Sequence, residues 1–141
     1  MSVGNSWDEL EVGSEAPVLD DGPLTITDFV RYQGASGDMN PIHHDVEFAR
    51  RSGYPTPFAV GMRQAGILSN LATAWLGARN LRRFKVQFRE QAWPGDTLTY
   101  SGVITAKREE AGERLVELEM AVTRQTGGVH LRGWATFSLD S

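Results

Sequence analysis

The sequence predicts an α+β fold in which a curved antiparallel sheet wraps around one long helix. Three observations lead to this prediction. Helix signals fill the first half of the chain, apolar and polar residues alternate through the second half, and one helix is much longer than the others. A sheet with one apolar face needs a cover, and the long helix is the only candidate of sufficient size.

The first half of the chain is expected to contain a leading strand and three helices. The strand should end near Thr25, Thr27 is the expected N-cap of a first short helix, and Asp45 is the expected N-cap of a second. The long helix is expected over Gly61–Leu76, where apolar residues recur at helical spacing, and Gly77 supplies the stop. Small residues along this helix let other backbone approach closely, so we expect it to be mostly buried.

The second half is expected to form four strands. Apolar residues recur there at every second position, and turn signals separate the runs at Pro94-Gly95-Asp96, Glu110-Ala111-Gly112 and Gly127-Gly128. This spacing is typical of an antiparallel meander, and the leading strand brings the sheet to five. No linker or repeat interrupts the sequence, so residues 1–141 are expected to form a single domain.

Composition excludes several function classes. The net charge of −4 argues against a nucleic-acid partner, which favours a basic face. The chain has no cysteine, so disulfides and thiolate chemistry are excluded. Residues 1–13 lack the apolar run of a signal peptide, and no segment approaches the ~20 apolar residues of a membrane span, so a cytoplasmic protein is expected. We expect no cofactor and no metal site, because the adjacent residues His43, His44 and Asp45 have no spaced partner.

A polar loop after the first short helix carries an acid and a base. Asp38 and His43 are five residues apart, and the turn at Asn40-Pro41 folds the loop so that both side chains can face one small volume. A carboxylate and an imidazole that reach the same water molecule can handle its protons. The alternative for an arbitrary pair is that Asp38 caps a turn and His43 is a half-buried, hydrogen-bonded histidine.

The segment around this loop, YQGASGDMNPIHHDVEFA from Tyr32 to Ala49, resembles a family pattern. It is similar to the MaoC-like, R-specific enoyl-CoA hydratases and dehydratases, which carry Ser-Gly-Asp-x-Asn-Pro-hydrophobic-His after an aromatic residue. The resemblance implies a hotdog fold, a trans-2-enoyl thioester of CoA or acyl carrier protein as substrate, and an (R)-3-hydroxyacyl product. It also implies that Asp38 and His43 are the catalytic pair.

Hydration of a 2-enoyl thioester needs a group that takes a proton from water, a group that protonates C2, and donors for the thioester oxygen. We expect His43 to accept the water proton and Asp38 to serve C2, as a coupled pair. The backbone N–H of Gly61, at the start of the long helix, is the expected oxyanion donor. Alternatively, Gly61 only lets the chain pass tightly into the helix. Relatives usually carry His-Gly-Met at this point, whereas this chain has Val60 in place of that histidine.

Several other polar residues have open roles. Asn40 either hydrogen-bonds the reacting groups or serves the turn alone, and Ser69 matches a position where relatives often have a serine near the site, with core filling as the favoured alternative. His44 is expected to be solvated, and His130 is expected to point outward from its strand. A basic stretch either contacts CoA phosphates or forms an exposed strand face; it comprises Arg79, Arg82, Arg83, Lys85 and Arg89.

Unpaired sheet edges and the length of an acyl-CoA predict a dimer or larger assembly, with a homodimer as the default. Two competing functions stay open. Trp75-Leu-Gly, the segment 83–90 and Pro94-Gly-Asp resemble acyl dehydratase subunits that pair with a different hotdog chain, some of them in sterol side-chain breakdown. The chain would then be the catalytic subunit of a heteromer. A hotdog acyl thioesterase is the third possibility, because a fold does not fix the reaction.

Overall fold

A five-stranded antiparallel sheet forms most of the structure, a computed structural model that describes residues 5–140. The first four residues of the N-terminal segment discussed above, and the last residue of the expected domain, lie outside the described residues. The strand order is β1-β3-β4-β5-β2. The strands are β1 (Leu19–Asp21), β2 (Leu81–Phe88), β3 (Leu98–Glu110), β4 (Glu113–Arg124) and β5 (Val129–Ser138).

Three α-helices precede the main strands, namely α1 (Ile26–Ser36), α2 (Val46–Arg51) and α3 (Gly61–Leu76). The expected bounds of the long helix are confirmed, and so is Asp45 as the N-cap of α2. The expected N-cap of α1 was wrong, since Thr25 caps this helix instead of Thr27. Thr25 forms a reciprocal capping box with Asp28, which Thr27 cannot form because Val30 lies three residues after it.

The long helix α3 lies against β2, β3, β4 and β5, and it is largely buried as predicted. Leu68 and Leu76 are fully buried. A Cβ at Gly133 in β5 would lie 2.8 Å from Cδ2 of Leu68, so only glycine allows this approach of helix and sheet. The α+β prediction is therefore confirmed. Within residues 5–140, none of the helices is long and apolar enough to cross a membrane.

The two edges of the sheet differ. β2 forms one edge along its whole length. On the opposite side, β1 pairs with the start of β3, and residues 13–16 continue the cover, because Gly13 and Ala16 donate their amides to β3. Beyond that cover, β3 ends in the charged run Lys107-Arg108-Glu109-Glu110.

A β-bulge at the start of β5 reverses the expected direction of His130. Val122 pairs with Leu131 and Thr123 pairs with Val129, so His130 is the extra residue between them. The bulge brings His130 to the same side as Leu131, and only 3% of its surface is exposed. The expectation that His130 points outward was therefore wrong. Strict alternation along a strand fails where the pairing register shifts.

Candidate active site

The loop between α1 and α2 is held by hydrogen bonds to its own backbone. Gln33 donates its side-chain Nε2 to the carbonyl of Asn40 at 2.9 Å, and the Oδ1 of Asn40 accepts the amide of Ile42 at 3.1 Å. The carboxylate of Asp38 accepts the amide of Asn40 at 3.2 Å. This compact turn brings Asp38 and His43 to one open cavity of about 340 Å³, which both residues line.

His43 is buried, and its ring is held on one side by the segment before α3. Its Nδ1 lies 2.8 Å from the carbonyl oxygen of Phe58, and the two rings meet edge to face at 5.2 Å between centroids. A carbonyl oxygen can only accept, so Nδ1 carries the proton in this bond. In the neutral ring the lone pair then lies on Nε2, which has no hydrogen-bond partner within residues 5–140. It can therefore accept a proton from a water molecule.

An aromatic cluster supports this arrangement from behind. The ring of Phe58 packs against Tyr54 at 4.9 Å and against Trp93 at 5.8 Å. Trp93 thus serves packing. The carbonyl that orients His43 belongs to Phe58. By holding Phe58 in place, the aromatic cluster fixes both this carbonyl and the ring that packs against His43.

Asp38 is solvent-exposed and combines two of its expected roles. Its carboxylate caps the turn, because it accepts the amide of Asn40, and it also lines the cavity. No direct hydrogen bond between Asp38 and His43 is found in the described part of the chain. The two groups can therefore act together through a molecule placed between them. Asn40 has the turn role in this structure, since its side chain accepts from the loop amide of Ile42 and its carbonyl accepts from Gln33 of α1.

The first turn of α3 forms another wall of the cavity. Val60 is the N-cap residue but offers no side-chain cap, and Gly61 is the first helical residue. The amide of Gly61 has no backbone partner among residues 5–140, as expected for the first turn of a helix. A Cβ at Gly61 would lie 2.6 Å from Cε1 of Phe88. Gly61 therefore permits a close approach of Phe88 and leaves a free amide at the positive end of the helix.

Two buried residues at this wall were missed from the sequence, and both lie beside Val60. The side chain of Gln64 is fully buried, and its Nε2 lies 3.2 Å from the carbonyl of Val60 and 3.2 Å from Nε2 of His130. The Nδ1 of His130 lies 2.6 Å from the carbonyl of Glu90. Burial lowers the pKa of His130 below its usual value, although the bond to the Glu90 carbonyl opposes this effect. His130 is therefore a neutral ring on the cavity wall.

The segment that follows β2 completes the cavity and is anchored by an ion pair. Arg124 donates to both carboxylate oxygens of Asp96, at 2.7 and 3.2 Å, and its Nη1 also reaches Glu90 at 3.1 Å. Burial alone would raise the pKa of Asp96, but the hydrogen bonds from Arg124, Gln125 and the Trp93 amide hold it below its usual value. Glu90, which lines the cavity, is thus tied to β4.

The other residues singled out from the sequence lie further from the reacting volume. The hydroxyl of Ser69 donates to the carbonyl of Gly66 at 2.7 Å, and Ser69 does not line this cavity. His44 is exposed as expected, and its Nδ1 lies 2.8 Å from Oε1 of Gln33. Arg89 alone of the basic stretch lines the cavity. Residues 5–140 contain no group of three or more His, Cys, Asp or Glu side chains arranged to hold a metal ion.

Comparison with known proteins gives one family and several relatives. A family model described as MaoC like domain matches residues 11–126. The fatty acid synthase subunit beta of Gibberella zeae is 32% identical over 117 residues, which are 81% of this chain and 5% of that protein. The 3-hydroxyacyl-thioester dehydratase Y of Mycobacterium tuberculosis is 36% identical over 90 residues, which are 61% of this chain and 30% of that protein. The chain thus spans less than a third of the length of either relative.

A solved structure agrees over nearly its whole length. The (R)-hydratase from A. caviae, described as involved in PHA biosynthesis, superposes with a TM-score of 0.80 at 26% identity. The match covers 92% of this chain and 97% of that chain. The expected hotdog fold is therefore confirmed, with a five-stranded sheet that does not close into a barrel.

Proposed function

The chain belongs to the MaoC like domain family, and on that premise we propose that it hydrates trans-2-enoyl thioesters reversibly to (R)-3-hydroxyacyl thioesters. One observation carries the proposal. The Nε2 of His43, the carboxyl group of Asp38 and the amide end of α3 all border the same cavity. These are the three provisions that the reaction needs, namely a base, an acid and an oxyanion donor.

In the proposed mechanism, a water molecule lies between His43 and C3 of the substrate. The cycle starts with a neutral His43 and a protonated Asp38 carboxyl group. The Nε2 of His43 takes one water proton as the water oxygen bonds to C3, and the protonated Asp38 carboxyl gives its proton to C2 as the double bond becomes a single bond. The proton on His43 then returns to Asp38, so each turnover adds one H and one OH and leaves the protein unchanged. The same steps in reverse remove water.

The thioester oxygen gains negative charge during this addition. The amide of Gly61 is the proposed donor, since it lies on the cavity wall at the positive end of α3 and has no backbone partner among residues 5–140. Arg89 is the basic side chain at the same opening and suits a phosphate of CoA or of a carrier-protein arm. Asn40 and Ser69 remain proposed supporting residues, and residues 1–141 are proposed to act as one domain.

We further propose that the working unit is a dimer. Two large apolar side chains that line the cavity are exposed, namely Met62 at 57% and Phe88 at 52%. Phe88 lies on the unpaired edge strand β2, so a second chain that adds to this edge would cover the cavity mouth. A cavity of about 340 Å³ is at the small end for a ligand site, and a neighbour would extend it.

A homodimer is the default, and a heteromer in which this chain is the catalytic subunit is the second candidate. Light scattering of the purified chain beside an activity assay separates them. An active dimer supports the first. An inactive, folded chain that gains activity when a second hotdog chain is added supports the second. A fully active monomer would exclude both.

The proposed reaction is tested with a panel of 2-enoyl-CoAs from short to steroid-like, by following the loss of enoyl absorbance. Chiral analysis of the product should give the R isomer. A predominantly S product would contradict the proposed stereochemistry even if turnover is rapid. Release of free thiol from a saturated acyl-CoA, with no hydration, would indicate the thioesterase instead.

A further inference from the structure

A buried polar pair, Gln64 and His130, lies directly behind the proposed oxyanion donor. We infer that this pair positions the first turn of α3 so that the Gly61 amide faces the thioester oxygen, and that His130 is a positioning residue and not a second proton carrier. The inference rests on the proposed function, since it concerns the same cavity.

The orientation of the Gln64 amide is fixed by a neighbour that can only donate. The Nη1 of Arg63 lies 3.0 Å from Oε1 of Gln64 and 2.9 Å from a carboxylate oxygen of Asp21. A guanidinium has no acceptor, so the oxygen of Gln64 must face Arg63. Its NH₂ group must then face Val60 and His130, where it has two acceptors for its two hydrogens.

The two ring nitrogens of His130 are therefore both occupied. Nδ1 donates to the carbonyl of Glu90, and Nε2 accepts from Gln64. His43 differs from His130 at Nε2, because the Nε2 of His43 has no hydrogen-bond partner within residues 5–140. Only one of the two cavity histidines has a lone pair available for water. This difference assigns proton transfer to His43 and leaves His130 with a structural task.

The connection to Gly61 runs through a single peptide group. The carbonyl of Val60, which accepts from Gln64, and the N–H of Gly61 are the two ends of one planar peptide unit. Holding the carbonyl therefore fixes the direction of the N–H. The amide of Arg63 also donates to this carbonyl at 3.1 Å, but the Val60 side chain provides no cap. The Gln64 side chain adds the bond that ties this peptide to the sheet.

The bulge in β5 explains how a strand residue reaches the helix. Without the extra residue, His130 would point to the outer face of the sheet, away from α3. With it, the ring bridges Gln64 on the helix and the Glu90 carbonyl on the cavity wall. Bulges frequently re-aim a side chain next to an active site, and this one joins the two walls of the cavity.

The first test is Gln64→Met, which keeps the size of the side chain and removes both donors. We expect kcat on a 2-enoyl-CoA to fall by roughly 10- to 100-fold, with KM changed by less than about threefold, because a small misplacement affects the transition state most. The matched control is Asn80→Leu. Asn80 donates to the Leu76 carbonyl at the other end of α3, so its loss should lower the melting temperature and leave kcat unchanged. Unchanged kcat in Gln64→Met would overturn the inference.

A second pair of variants distinguishes the two hydrogen bonds that His130 forms, one through Nδ1 and one through Nε2. His130→Gln keeps an acceptor near the former Nε2, and His130→Asn keeps a donor near the former Nδ1. The inference predicts that His130→Gln retains more kcat than His130→Asn, because only the first keeps the bond to Gln64. If both variants lose turnover as completely as His43→Gln and also lose a limb of the pH–rate profile, His130 is a proton carrier and the inference fails.

The network can also be observed without substrate. The ¹⁵N shifts of the imidazole should show His130 as the neutral ring protonated on Nδ1, and Gln64→Met should shift its Nε2 signal and the Gly61 amide signal. The inference would be overturned, whatever the measured activity, if the His130 ring is protonated on Nε2. It would also be overturned if the Gly61 amide signal does not shift in Gln64→Met. If the NMR result is as expected but no enoyl-CoA is hydrated, only the proposed function fails.

Discussion

The imidazole Nδ1 of His43 lies 2.8 Å from the carbonyl oxygen of Phe58. This bond defines the tautomer of the neutral ring, because the carbonyl requires Nδ1–H and the lone pair then lies on Nε2. The acceptor is itself held in place, since the Phe58 ring packs between Tyr54 and Trp93. As the proposed base, His43 would therefore need no rearrangement before it takes a proton from water.

The first prediction concerns the proposed acid and base. Asp38→Asn and His43→Gln should each lower kcat by roughly 10²–10⁴-fold, the usual range for positioned proton transfer. Asp45→Asn is the matched control, because asparagine caps a helix about as well as aspartate and the residue lies outside the cavity. Steady-state kinetics with circular dichroism checks both effects. Near-normal turnover in both Asp38→Asn and His43→Gln would exclude these two residues as the acid and base of the reaction.

The second prediction concerns Gly61. Gly61→Ala should lower kcat/KM by roughly 10²-fold, since a methyl group would enter the space where the thioester approaches the amide. The methyl would also meet the ring of Phe88, which is half exposed and can turn away, so the melting temperature should change little. The double variant Gly61→Ala/Phe88→Ala distinguishes the causes. Recovery of activity in the double variant would show that Gly61→Ala acts by displacing the Phe88 ring and not by blocking the oxyanion contact.

The third prediction concerns acid stability. Because burial lowers the pKa of His130 in the folded state, the unfolded chain binds its proton first as the pH falls. Stability should be complete above the unfolded pKa of about 6.5 and decline below it. Glu90 and Asp96 favour the charged ring, and Arg124 opposes it. Urea unfolding from pH 7.5 to 5 should show this slope, and His130→Gln should flatten it. An unchanged slope in that variant would contradict the prediction.

The fourth prediction concerns Tyr100 in β3. Its hydroxyl is buried without a hydrogen-bond partner in the described part of the chain, and burial raises its pKa far above the usual value. Tyr100→Phe should leave the free energy of unfolding unchanged or raise it by about 1 kcal/mol, because an unsatisfied polar group is removed. Thermal unfolding measures this. A clear loss of stability would mean that the hydroxyl has a partner, such as a buried water molecule.

The sequence predicts the parts of this site that depend on local chemistry. Gly77 ends α3, Asp45 caps α2, and the turn at Asn40-Pro41 brings Asp38 and His43 to one cavity, because each of these features is decided within a few residues. Thr25 was missed as the cap of α1, although the spacing to Asp28 was a readable sign.

Gln64 and His130 could not be found in the same way. The position of His130 depends on a shift in the pairing of β4 with β5, which is a long-range property of the sheet. The glycines at 127 and 128 indicate a turn, but they do not reveal which following residue is left unpaired. Gln64 gave a weaker sign, as an amide on the buried side of an apolar helix.

The difference between the two sheet edges has a consequence for how the chain can assemble. Within residues 5–140, β2 is the one long strand open to a new neighbour, while the β3 side is covered by β1 and residues 13–16 and then ends in charges. In the proposed homodimer, two copies would join through β2, and the open edge of each copy would then be covered by the other. Growth then stops after a single step, so a protein built largely of sheet can associate tightly without becoming a seed for fibres.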